Sequence, residues 1–115
     1  MESLNSNHVI KVFDFVKTPK SFFLVQELAN GGSLQSMLDL HGPFKESIAK
    51  KMLRQIIKGC KDINKDRIVH RDLKLDNIVI FFPRLGSHLS ISDKQNIDFE
   101  SEEFIVKLAD FGFAR

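Results

Sequence analysis

Two short stretches decide how this chain is read: His70-Arg71-Asp72-Leu73-Lys74-Leu75-Asp76-Asn77, and Asp110-Phe111-Gly112. Each follows an apolar, β-branched run, Ile68-Val69 in the first case and Phe104-Ile105-Val106-Lys107-Leu108 in the second. Each therefore reads as a loop leaving a strand, where polar side chains can converge on a cleft. Together they hold two carboxylates (Asp72, Asp110), an amide (Asn77) and a cation (Lys74). Phosphoryl transfer needs that inventory: a carboxylate to orient a hydroxyl, hard oxygen ligands for Mg²⁺, and positive charge beside the phosphates.

The flanking sequence reads as alternating strands and helices. Val9 to Val16 and the apolar run Phe22-Phe23-Leu24-Val25 read as a hairpin, joined through Lys17-Thr18-Pro19-Lys20. Asn30-Gly31-Gly32-Ser33 breaks the pattern, with Ser33 placed to cap a short helix over Leu34 to Leu40 that His41-Gly42-Pro43 ends. From Lys45 to about Asn64 the period becomes helical. Ile48, Met52, Ile56 and Cys60 form one apolar row, Ala49, Leu53 and Ile57 the next, and Ile63 continues the face, with lysines and Arg54 opposite. Those lysines read as a solvated helix face. Ile78-Val79-Ile80-Phe81-Phe82 is a strand stopped by Pro83. Arg84 to Glu103 shows no sustained period, and a loop of about 20 residues inside a small domain needs a reason.

Composition bounds the answer. The 115 residues suit one domain and argue against two; 43% are hydrophobic and 28% charged, which excludes wholesale disorder. A net charge of +2 is too balanced for a dedicated nucleic-acid or membrane binder. One cysteine rules out an internal disulfide and fits the reducing cytoplasm. The opening residues show no secretory signal, and no apolar run approaches a membrane span. All aromatic content resides in eleven Phe, with neither Trp nor Tyr.

The order and spacing of His70 to Asn77 and Asp110-Phe111-Gly112 resemble the protein kinase family, whose H-R-D-L-x-x-x-N and D-F-G motifs are matched at every specified position. The resemblance implies an α+β, partial protein-kinase-like fold: the end of the N-lobe sheet (1–27), a hinge (28–33), and the start of the C-lobe (34–115). The C-lobe part would hold helices D and E, the catalytic loop and a following β-hairpin with an insertion at about 84–103. In that family Asp72 would orient and deprotonate the substrate hydroxyl, Lys74 would steady the transferred phosphate as in Ser/Thr kinases, and Asn77 and Asp110 would hold Mg²⁺. Gly112 would let the backbone flex beside Asp110, Arg71 would meet a phosphorylated loop, and His70 and Phe111 would pack. Upstream, the Glu27 carbonyl and the Ala29 N–H and C=O would face adenine. Gln26 would stand as gatekeeper, and Leu34 and Val79 beneath the purine, where core packing is an equal reading. Val12 would be a spine residue. The closing Leu108 to Arg115 resembles autophagy-initiating and calcium/calmodulin-type kinases.

The implied reaction transfers the γ-phosphoryl of ATP, with Mg²⁺, to a Ser or Thr of a protein substrate, with neither a nucleic-acid partner nor a membrane span. The glycine-rich loop, strand lysine and helix-C glutamate of the family do not occur in these residues, and the chain ends before an activation loop. The chain alone is therefore expected to transfer little phosphate, and its long helix to lack packing partners on its inner face. The alternative is a non-catalytic, kinase-derived binding module. The insertion, with its serines and acidic residues, is expected to be a solvated, modifiable loop projecting from the lower lobe.

Overall fold

A computed structural model of the chain describes residues 7–65 and 74–109. The predicted Ile68-Val69 strand lies outside them. Strands β1 (Val12–Lys17) and β2 (Phe22–Gln26) pair antiparallel, with the register shifting between Val12 and Asp14. In the turn the Thr18 N–H donates to the Ser21 carbonyl at 2.8 Å, and the Thr18 hydroxyl oxygen accepts from the Ser21 N–H at 3.0 Å. Helix α1 (Leu34–His41) begins where Ser33 Oγ accepts from the Ser36 N–H, as its sequence predicts, and stops at Gly42, whose φ of 73° suits glycine. Helix α2 (Glu46–Lys65) follows. Strands β3 (Ile78–Phe81) and β4 (Ile105–Leu108) form a second antiparallel hairpin bracketing the insertion.

Alternation gives the β3–β4 hairpin two unlike faces. Ile78, Ile80, Val106 and Leu108 lie buried in the core with Val9, Leu34, Met37, Met52 and Ile63. Val79, Phe81 and Lys107 occupy the other face. Helix α2 packs on β4 and also binds its main chain: Gln55 Oε1 accepts from the Val106 N–H at 2.6 Å. The predicted strand from Val9 is divided by the structure. Val9 and Ile10 are buried beside β4, with the Ile10 N–H donating to the Leu108 carbonyl and the Leu108 N–H to that of His8, each at 2.9 Å. Gly59 of α2 admits this segment; a Cβ there would stand 2.7 Å from the His8 carbonyl oxygen.

The two apolar rows of α2 part company. Ile48 and Met52 are buried, whereas Leu53 and Ile57 are 55% and 46% exposed. The helical period identifies an apolar row without specifying what covers it.

The insertion is exposed over most of its length, as its composition suggests, but it does not project freely. Ser90 and Asp93 form a capping box that starts helix α3 (Ile91–Gln95). His41 Nε2 donates to the Lys94 carbonyl at 2.8 Å, tying α3 to α1. Phe99 is buried, with ring centroids 5.0 Å from His41, 5.4 Å from Phe44, 5.8 Å from Phe104 and 5.9 Å from Phe82. The apolar area and the edge-to-face contacts of this one side chain draw the segment back onto the core.

Residues 30–33 are stitched to β3. The Gly31 N–H donates to the Ile80 carbonyl and the Ile80 N–H to that of Gly32, both at 2.9 Å. The buried Asn30 side chain accepts from the Phe82 N–H at 2.7 Å and donates to the carbonyls of Phe82, Leu85 and Gly86 at 2.9, 3.3 and 3.0 Å. Asn30→Ala removes all of these and takes from the buried Phe82 N–H its acceptor. Urea denaturation is expected to show a loss of about 2–3 kcal/mol; an unchanged midpoint would contradict this anchoring role.

Candidate functional site

The described residues among the expected catalytic and adenine-binding set fall on two elements that the fold brings together: the 27–34 segment, and β3 with the turn before it. Leu75–Asn77 form a single 3₁₀ turn leading into β3, where the Asn77 N–H donates to the Lys74 carbonyl at 2.9 Å. Lys74 is exposed and Asn77 buried. The Ala109 N–H then donates to the Asn77 carbonyl at 2.8 Å, so the residue just before Asp110 sits beside the end of the 74–77 turn. Asp72, Asp110, His70, Arg71, Phe111 and Gly112 lie outside the described residues. Among the described residues no group of three or more His, Cys, Asp or Glu is placed to hold a metal ion.

On the opposite element, Ala29 is half-buried, and its carbonyl accepts from the Gly32 N–H at 3.1 Å. Leu34 is only 3% exposed and packs in the core. Val79 is half-buried on the hairpin face that carries Lys107, and its backbone bridges to that of Ser33. The side chain of Gln26, the expected gatekeeper, is exposed at the end of β2. Cys60 is half-buried, and burial pushes its thiol above the ordinary cysteine value, as suits a packing residue rather than a nucleophile.

Glu27 has a second role that the sequence does not disclose. Its N–H donates to the Lys11 carbonyl at 2.9 Å, while its carboxylate accepts from the Lys11 N–H at 2.8 Å and from Lys107 Nζ at 2.9 Å. The paired side chains retain 23% and 11% exposure, and Lys107 Nζ also stands 5.5 Å from the Phe81 ring centroid. Lys107 lies three residues before Asp110. This ion pair ties the 27–29 segment to the strand leading into Asp-Phe-Gly. The only sequence signal for it is a lysine inside an otherwise apolar strand.

A hairpin end joined by a short connector to two helices, with a second hairpin beneath it, is an α+β arrangement. The family model for the protein kinase domain matches residues 1–115, and the chain belongs to that family. It is 29% identical over 117 residues to the calcium/calmodulin-dependent protein kinase cmkA of Emericella nidulans, covering 99% of this chain and 28% of that protein. It is 29% identical over 114 residues to serine/threonine-protein kinase 33 of Bos taurus, covering 99% of this chain and 21% of that protein. Among solved structures, Rad53 residues 1–466 in complex with AMP-PNP matches with a TM-score of 0.72 at 30% identity, over 96% of this chain and 25% of that one. The fold is thus a partial protein-kinase-like fold, and the family's enzyme class is protein serine/threonine kinase. The chain spans only 21–28% of the length of these relatives.

Lys107→Met leaves the Glu27 carboxylate half-buried without its cation. Thermal or urea unfolding is expected to show a loss of about 1–3 kcal/mol. Glu27→Gln with Lys107→Met should recover part of that loss; strictly additive losses would show that the two side chains do not act as a pair.

Proposed function

We propose that this chain forms the hinge and catalytic-loop portion of an ATP-dependent protein serine/threonine kinase, transferring the γ-phosphoryl of ATP to a protein Ser or Thr hydroxyl. One observation supports the reading: the 2.8 Å bond from the Ala109 N–H to the Asn77 carbonyl, which joins Asn77 to the residue that precedes Asp110 in the chain. On this reading Asp72 orients the hydroxyl and accepts its proton, and Lys74 balances charge on the transferred group. Asn77 and Asp110 offer a neutral and an anionic oxygen, a donor set suited to Mg²⁺. The bound ion would neutralise phosphate charge. The Glu27 carbonyl and the Ala29 main chain face the adenine edge, with Val79 beneath the ring and Leu34 supporting it from the core. The boundaries that go with this reading are 1–27 for the end of the N-lobe, 28–33 for the hinge and 34–115 for the start of the C-lobe, in a cytoplasmic protein.

Positioning of the phosphates constitutes most of kinase catalysis, so these residues by themselves are expected to transfer little phosphate. In the whole protein, Asp72→Asn is expected to lower kcat by about 10²–10⁴-fold while leaving Mg-ATP affinity unchanged, measured by phosphate incorporation and nucleotide titration. Retained turnover would overturn the assignment of Asp72. Failure of the whole protein to bind Mg-ATP would instead favour a non-catalytic kinase-derived module.

A further inference from the structure

Asn30 and Gly31 form the only Asn-Gly pair in the chain. Such a pair is chemically labile, because a residue without Cβ lets its main-chain nitrogen reach the preceding side-chain amide with little hindrance. In that reaction the Gly31 nitrogen bonds to Asn30 Cγ, the Cγ–Nδ2 bond breaks, and Nδ2 leaves as ammonia with the proton from Gly31. A cyclic imide remains. Water then adds to either of its carbonyls and opens the ring, giving aspartate or a β-linked aspartate whose extra carbon lies in the main chain. The chemistry is hydrolytic throughout, with water as its only co-reactant.

The fold both requires this pair and restrains it. A Cβ on Gly31 would stand 2.5 Å from Ile80 Cγ2, so the packing admits only glycine there. Asn30 is required for its amide, which accepts from the Phe82 N–H and donates to the carbonyls of Phe82, Leu85 and Gly86. In this closed arrangement neither reacting group is available. The Gly31 N–H is bound to the Ile80 carbonyl at 2.9 Å, and the Asn30 side chain, in a residue only 6% exposed, is held through both its oxygen and its nitrogen. Reaction therefore needs residues 30–33 to part from β3.

Neither product fits the closed arrangement. Aspartate at position 30 would set an anionic oxygen, in place of the Nδ2 donor, against three carbonyls in a buried site. The β-linked form lengthens the main chain ahead of Gly31 and moves its N–H out of register with Ile80.

We propose that Asn30-Gly31 is a site of spontaneous deamidation, gated by separation of the 30–33 connector from β3, and that either product holds the connector open. A single covalent event thus makes a reversible local opening permanent. The chemistry is independent of nucleotide binding and stands or falls separately from the catalytic reading.

The test ages the whole protein at neutral pH, in native buffer and in guanidinium chloride, and scores Asn30 by peptide mapping with mass spectrometry. An isoaspartyl methyltransferase assay detects the β-linked product. Deamidation is expected in denaturant, and at least about tenfold more slowly in native buffer, where only the open fraction reacts. Native protein is aged until the modified species, which carries an added negative charge, can be separated by ion exchange. Its backbone hydrogen exchange over residues 78–86 is expected to be faster than that of intact protein, because the Ile80 and Phe82 N–H groups have lost their acceptors. Asn30→Asp, which reproduces one product directly, should show the same change; the aged protein decides the matter even if that variant does not fold. Equal rates in the two buffers, survival of Asn30 in denaturant, or unchanged exchange over 78–86 in the modified species would overturn the proposal.

Discussion

The main chain at Gly31 lies against β3 so closely that it admits no side chain. A Cβ on Gly31 would stand 2.5 Å from Ile80 Cγ2 and 2.7 Å from the Ile80 carbonyl oxygen. This contact brings the connector between the upper hairpin and α1 into main-chain hydrogen bonding with the strand that follows Asn77. Asn30 extends the contact by satisfying four main-chain groups where β3 ends and the insertion departs. The position of the candidate adenine edge relative to Val79 is thus determined by backbone geometry. A change in ligand-facing side chains would leave it in place.

The insertion depends on the same neighbourhood. Because Asn30 holds the turn after β3, the chain leaves it in a direction that returns α3 to α1 and Phe99 to the end of the hairpin core. The absence of Trp and Tyr is intelligible at this point. The Phe99 cluster contains Phe44, Phe82 and Phe104, and Phe carries no polar handle that would need a partner in so closely packed a site. The histidine of the cluster, His41, uses its ring nitrogen on the Lys94 carbonyl and so closes the insertion over the helix.

Elements with a local signal were legible in the sequence. The helical period of α2, the Ser33 cap and the first hairpin all arise from residues within a few positions of one another, whereas the pairing of Phe81 with Ile105 across the insertion was expected only from the family resemblance. What depended on distant partners was not. Phe99 stands between Asp98 and Glu100, so local polarity pointed to solvent, yet three of its four ring contacts, with His41, Phe44 and Phe82, come from residues far along the chain. The capping box at Ser90 and Asp93 was the one local sign of order there. Leu53 and Ile57 show the converse, an apolar row whose period is plain and whose cover no pattern specifies. The inventory of the candidate site was readable as types and spacing. The burial of Leu34 and the Glu27–Lys107 pair, 80 residues apart, required the fold.

Glu27 shows how one residue can serve binding and architecture without conflict. If adenine is read through main-chain groups, the side chain at that position is released from the ligand and available to the fold. It is used in full, one carboxylate oxygen on the Lys11 N–H and the other on Lys107 Nζ. The ammonium that neutralises it rises from β4, three residues before Asp110, so the same pair couples the connector to the strand leading into Asp-Phe-Gly. In a half-buried setting such a pair adds little net stability over an apolar substitute, because desolvation offsets much of the attraction. It does impose a register that an apolar contact would not. Sliding β4 by one residue would place Lys107 on the core face and bury an unpaired charge. The ion pair therefore holds the two halves of the candidate site in one alignment, and specificity of arrangement is a stronger reason than stability for a lysine in this strand.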